Sequence, residues 1–109
     1  MNQLYGFRET KAFTRDVLSL LSEENYFALQ NYLQENFMLG DVIPGGKGLR
    51  KIRWRAEGKG KRGGVRIIYY FASAKGYIYL LAIYGKNQKA DLEKDQLKRL
   101  IEQVREWLK

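Results

Sequence analysis

Lys51, Arg53 and Arg55 alternate with Ile52 and Trp54 along segment 49–55. In an extended chain that period of two puts the three cations on one face, roughly 7 Å between neighbours, and the two apolar side chains on the other. Like charges in such a row repel one another unless solvent or an anion lies against them. Arg66 opens the next apolar run and joins the cluster if the two segments pair as a hairpin. Holding a phosphate, and stabilising charge that develops on it, is the chemistry these residue types suit. Tyr84 and Lys86 share a face by the same period at the exit of the last apolar segment. An exposed tyrosine there can stack a nucleobase for ~1–3 kcal/mol.

Between these segments lies Gly58-Lys59-Gly60-Lys61-Arg62-Gly63-Gly64, a glycine-rich basic turn. Its glycines let backbone N–H groups approach an anion, while Lys59, Lys61 and Arg62 supply charge to grip a bent backbone. The spacing is not that of a nucleotide-binding P-loop, and strands flank it on both sides. The net charge of +8 concentrates here: from Val42 to Ala90 there are twelve cations and a single acid, Glu57. A one-sign field of this kind attracts polyanions, nucleic acid foremost.

Other chemistries are excluded by residue type. The chain has no histidine and no cysteine. Histidine-based triads, thiolate metal sites and disulfides are therefore out. The central segment lacks the paired carboxylates of a glycosidase or a two-metal nuclease. Asp91, Glu93 and Asp95 stand near a helix start, where negative charge complements the dipole.

The elements that must position these residues are readable from periodicity. With 109 residues, 45% of them hydrophobic, the chain (1–109) is expected to form one domain with one core. Phe13, Val17, Leu20 and Leu21 recur at helical spacing behind Thr10, a good N-cap. A second helix is predicted over 23–38, with Tyr26, Leu29, Leu33 and Phe37 as its apolar stripe, Phe27 beside it, and Gly40 as its stop. Segments 49–55, 65–72 and 77–84 read as strands, rich in Val, Ile, Tyr and Phe and linked by turns. Most of their tyrosines are expected in the core, Tyr84 excepted. Leu97, Leu100, Ile101, Val104 and Leu108 mark an amphipathic helix over 92–108. The expected fold is α+β: an N-terminal helical hairpin, a three-stranded antiparallel β-meander and a C-terminal helix, with the helices packed on one side of the sheet.

Gly40-Asp41-Val42-Ile43-Pro44-Gly45, Gly48-Leu49-Arg50-Lys51-Ile52-Arg53, the basic turn running into Val65-Arg66-Ile67-Ile68-Tyr69-Tyr70, and Tyr79-Leu80-Leu81-Ala82-Ile83-Tyr84-Gly85-Lys86-Asn87 with Asp91-Leu92 together resemble the HigB branch of the RelE/ParE toxin superfamily. The match runs in order over most of 41–92.

That resemblance implies a ribosome-dependent mRNA endonuclease in which the RNA 2′-hydroxyl attacks the adjacent phosphate without a metal or other cofactor. It assigns Lys51, Arg53, Arg66 and Lys86 to catalysis. Lys51 or Arg53 holds the phosphate, and Arg66 stabilises the transition-state charge. Arg50, Arg55, Lys59, Lys61, Arg62 and Tyr84 are the expected RNA-binding residues. Where the family pattern has an arginine and, further on, a tyrosine, this chain has Asn87 and Glu93; Tyr84 or Tyr70 is left to stack the base. A lysine whose pKa is lowered by cationic neighbours can move the proton. The implied partners are mRNA in the ribosomal A site and a cognate antitoxin, acidic or amphipathic and joined to a helix-turn-helix domain. No membrane partner and a cytoplasmic location are expected, as no secretory signal or long apolar run is visible. The alternatives on the same scaffold are a ParE-like inhibitor of DNA gyrase and a non-catalytic RNA-binding module.

Overall fold

Thr10 begins the first helix as its chemistry predicts. Its Oγ1 accepts from the Phe13 N–H at 3.0 Å, and its hydroxyl donates to the Leu81 carbonyl at 2.8 Å, tying helix α1 (Lys11–Leu20) to the sheet. Phe13, Val17 and Leu20 form its buried stripe. Helix α2 (Glu23–Asn36) starts at Ser22, whose Oγ accepts from the Asn25 N–H, with Glu23 and Glu24 in the first turn where the dipole favours them. Only Leu29 and Leu33 of α2 are buried; Tyr26 packs at their edge, and Phe27, expected beside the core, faces solvent. Helix α3 (Lys94–Leu108) begins two residues later than predicted because Glu93 and Gln96 form a capping box there.

The computed structural model describes residues 4–56, 64–86, 88 and 91–109. Among them the sheet has five strands in the order β1-β5-β4-β3-β2, where the sequence predicted three: β1 (Gly6–Glu9), β2 (Asp41–Val42), β3 (Arg50–Trp54), β4 (Val65–Ala72) and β5 (Tyr77–Gly85). The antiparallel run β3-β4-β5 is the expected meander. Strand β1 adds to β5 in parallel, which makes the sheet mixed and places a strand before the two N-terminal helices. Strand β2 is only two residues long and pairs with Arg50 and Lys51. Neither added strand has an alternating pattern of its own; both exist because a neighbour offers unpaired backbone groups.

The helices cover both faces of the sheet, not one. Val65, Ile67, Tyr69, Ile78 and Leu80 pack with α1 and α2, whereas Leu49, Ile68, Tyr79 and Leu81 pack with Val104 of α3 and its neighbours Leu97, Leu100 and Ile101. Trp107 closes that second layer against the Tyr79 ring, centroids 4.9 Å apart, and the Arg8 guanidinium lies over the Trp107 ring at 4.2 Å. Leu108, expected on the buried stripe, is exposed. A bulge links the two layers: Ile68 opposes Ala82 but Tyr69 opposes Leu80, so Leu81 is the extra residue in β5. From Ala82 onward the alternation is reversed, and Tyr84 comes to lie on the face of Tyr79 although five positions separate them.

Burial leaves a titratable signature. Burial raises the phenol pKa of Tyr26, reinforced by its hydrogen bond to Glu9, and burial is also the largest cause at Tyr69, Tyr79 and Tyr84. A group that holds its proton more tightly when folded stabilises fully below its unfolded pKa, and loses that contribution as pH rises through the folded value. The contribution of these phenols is therefore expected to be complete up to about pH 10, the unperturbed tyrosine value, and to be lost above it. An absorbance titration of the eight tyrosines should show these phenols ionising late, together with the loss of secondary structure. A single transition of all eight near their ordinary pKa in a folded protein would contradict the packing described.

Candidate nucleic-acid interface

Arg53 stands directly opposite Arg66 on the neighbouring strand, and Arg66 directly opposite Tyr84 on the next. One row away Lys51 opposes Ile68. Gly64 sets this register. Its φ of +68° is a left-handed conformation, and a Cβ there would lie 2.2 Å from the Trp54 carbonyl oxygen, so a bulkier residue could not launch β4 in this line. Lys86 follows β5, its N–H donating to the Gly64 carbonyl at 3.4 Å.

β2 pairs with β3 only through Arg50 and Lys51, so Ile52 to Trp54 form an open edge among the described residues. There the sheet borders a cleft of about 520 Å³ whose walls include Lys51, Arg53, Arg66 and Lys86. The four residues assigned to catalysis are thus brought together. Arg66 is 6% exposed. Burial to this degree holds a guanidinium in place through packing, which suits a preorganised charge. Two opposed arginines are unfavourable unless negative charge lies near them. Asp91 supplies part of that charge: its Oδ1 is 2.6 Å from Lys51 Nζ. Lys51 holds the Asp91 carboxyl below its usual range, and Arg66 adds to the effect.

Asp91 and Asp41, both lining the cleft, are what sequence reasoning missed. They flank the acid-poor segment 42–90, one residue out at each end, although both occur in the motifs that resemble the RelE/ParE superfamily. Asp91 leaves the acidic group expected at the start of α3: Glu93 caps the helix and Asp95 sits in its first turn, while Asp91 turns to Lys51. A lysine surrounded only by cations, as the expected proton carrier needs, is not what Lys51 finds.

The expected RNA-binding residues are dispersed. Arg50 points to the other face, where its Nη1 donates to the carbonyls of Met38 at 3.0 Å and Gly40 at 2.8 Å, closing the end of α2. Arg55 is exposed beyond β3, its carbonyl accepting from Asn25 Nδ2 at 2.9 Å. Lys59, Lys61 and Arg62, with Glu57 and Asn87, lie outside the described residues. Tyr84, expected to be the exposed tyrosine, is 5% exposed. The bulge turns it into the layer under α3, and burial raises its phenol pKa while Lys51 and Arg66 pull the other way. Tyr70 also packs in that layer, 6.1 Å from the Tyr79 ring.

Gly40 and Tyr69 hold the cleft's near wall. The Gly40 N–H donates to the Tyr69 hydroxyl at 3.0 Å, and that hydroxyl donates to the Phe37 carbonyl at 2.9 Å. A Cβ on Gly40 would come within 2.6 Å of the Tyr69 oxygen and 2.7 Å of Ile52. This close approach brings Leu39 and Asp41 beside β3. A larger groove of about 740 Å³ lies between α1, β5 and α3. Its lining cations are Arg15, already paired with Asp16 at 2.9 Å, and Arg99, so it carries less positive charge than the four cations of the β3 edge.

Among the described residues, three α-helices on the two faces of a mixed five-stranded sheet make this an α+β protein. Its fold is RelE-like: among solved structures it is similar to the Escherichia coli toxin RelE, in a free-state variant carrying two arginine-to-alanine changes. That similarity has a TM-score of 0.64 and spans 93% of this chain and 98% of that one, at 12% sequence identity. No family model matches the sequence. The likeness is therefore one of fold.

Proposed function

We propose that this chain, read as one domain over 1–109, is the toxin of a type II toxin–antitoxin system, of the HigB branch, that cuts mRNA in the ribosomal A site. The observation that carries this reading is the opposition of Arg53 and Arg66 on one cleft with Lys51 and Lys86, four cations against two carboxylates. The RelE-like fold supports it, since the protein it resembles is itself a toxin.

In the proposed reaction the RNA 2′-oxygen bonds to the adjacent phosphorus as its proton leaves. The bond to the 5′-oxygen breaks, and that oxygen takes up a proton. The products are a 2′,3′-cyclic phosphate and a 5′-hydroxyl. Arg66 faces the charge that builds on the phosphorane, a role worth ~3–4 kcal/mol per donor. Arg53 and Lys86 hold the phosphate from the solvent side. Lys51 reaches it by exchanging Asp91 for the substrate's anion. Because the nucleophile belongs to the substrate, this chemistry calls for no metal or cofactor. Tyr84, neutral and directly opposite Arg66 on the neighbouring strand, flanks that side chain.

The partner that restrains such a toxin is an antitoxin whose acidic or amphipathic segment covers the cationic cleft, attached to a helix-turn-helix domain; the setting is the cytoplasm. No helix among the described residues is long and apolar enough to cross a membrane.

Purified ribosomes carrying a defined mRNA test the proposal. Discrete cuts within the A-site codon, ending in a cyclic phosphate, are expected, with the same RNA left intact when free. Uncut mRNA together with DNA damage in expressing cells would move the assignment to a gyrase inhibitor. Harmless expression without an antitoxin would leave a passive RNA-binding module.

A further inference from the structure

One wall of the cleft is neither charged nor part of the residues assigned above. Tyr32 of α2 and Leu39, just past that helix, line it beside Arg53 and Lys86. Tyr32 is 36% exposed and Leu39 66% exposed, so both present apolar surface to solvent next to the cations. The Tyr32 ring is not adrift. It packs on Trp54, centroids 5.4 Å apart, and the Trp54 Nε1–H donates to Asn25 Oδ1 at 2.8 Å. An anchored, half-open aromatic ring beside a phosphate-binding cluster is the arrangement by which single-stranded nucleic acid is held: cations track the backbone, and a ring face takes a base. The cleft's 520 Å³ falls in the ~300–1,000 Å³ range of sites that enclose small organic groups. Tyr84 and Tyr70, the tyrosines that sequence reasoning had available for stacking, are packed under α3.

We propose that Tyr32 and Leu39 form a nucleobase shelf at the open edge of β3, where a base adjoining the phosphate held by Arg53 and Lys86 stacks on the Tyr32 ring. This rests on the RNA-binding reading of the cleft and adds a base contact from α2, on the opposite side of the sheet from α3. Stacking accepts any base through its π face, so the shelf contributes affinity and position more than sequence choice.

The test is binding at low salt of a short single-stranded oligoribonucleotide and of the same ribose-phosphate chain made abasic. Tyr32→Ala and Tyr32→Leu are expected to weaken binding of the intact oligonucleotide about 5- to 100-fold, and Tyr32→Phe and Tyr32→Trp to retain it. The abasic chain should bind all five proteins alike, because it has nothing to stack. Arg53→Ala should weaken both probes. Full affinity of Tyr32→Leu for the intact oligonucleotide, or equal losses on the two probes, overturns the shelf. If Arg53→Ala still weakens binding in that case, the cationic cleft stands without it. If Arg53→Ala leaves both probes unaffected, the RNA-binding reading itself falls. Thermal melting of each variant separates a lost stack from a lost fold, since Tyr32→Leu keeps an apolar side chain against Trp54.

Discussion

Replacing Arg66 by alanine is expected to lower the proposed ribosome-dependent cleavage about 10²- to 10³-fold, the loss typical of one preorganised donor on a developing oxyanion. Binding of mRNA should fall by much less, because in the proposed reaction Arg53 and Lys86 still hold the phosphate. The position is not a neutral one for the fold. With 6% of its surface exposed, Arg66 carries a packed stem as well as a charge, so its removal is also expected to cost stability. Arg53→Ala is the useful companion. Arg53 is exposed and opposite Arg66, and removing it relieves a like-charge opposition. Its melting temperature should hold or rise while its RNA affinity drops. Rates for Arg66→Ala are then read at a temperature where circular dichroism shows it folded. Undiminished cutting by that folded variant would remove Arg66 from the mechanism, and with it the meaning given to the opposed arginines.

Leu80→Ala should produce the largest loss of stability, about 2–5 kcal/mol. Leu80 is fully buried in β5, opposite Glu9 on one side and Tyr69 on the other, and its carbonyl accepts from the Thr10 N–H at 3.0 Å. The substitution leaves a cavity where both neighbouring strands meet α1. For a chain of this size the midpoint should fall by roughly 4–8 °C per kcal/mol. Chemical denaturation measures the effect, with an unchanged slope expected if only packing is lost. A loss below about 1 kcal/mol, the middle of the range for ordinary point changes, would mean that the site collapses around the gap and that β5 is less central than its register indicates. The two variants also separate kinds of damage: Leu80→Ala should retain specific activity at temperatures where it remains folded, whereas Arg66→Ala should not.

Local patterns determined much of the architecture. Thr10 and Ser22 cap the helices they precede, β4 spans the predicted 65–72, and the alternation of 49–55 sends Ile52 and Trp54 to one face and Lys51 and Arg53 to the other. These features depend on contacts between residues a few positions apart, so spacing and residue type suffice. The cationic cluster was legible for the same reason: once two adjacent strands pair, Arg53 and Arg66 have few registers in which they can fall apart.

Long-range geometry decided the rest. Gly6–Glu9 becomes a strand only because β5, some seventy residues away in sequence, offers it an edge, and Asp41–Val42 only because β3 does. The bulge at Leu81 buries Tyr84, and the close approach of Gly40 to Tyr69 carries Leu39 and Asp41 to the cleft. Asp91 finds Lys51 across a separation of forty positions. The residues determined by themselves that this chain has a sheet with a positive face. Which acids temper that charge, which tyrosine is enclosed and which stands open were settled by tertiary contacts, because backbone pairing and close packing act between groups that no local period relates.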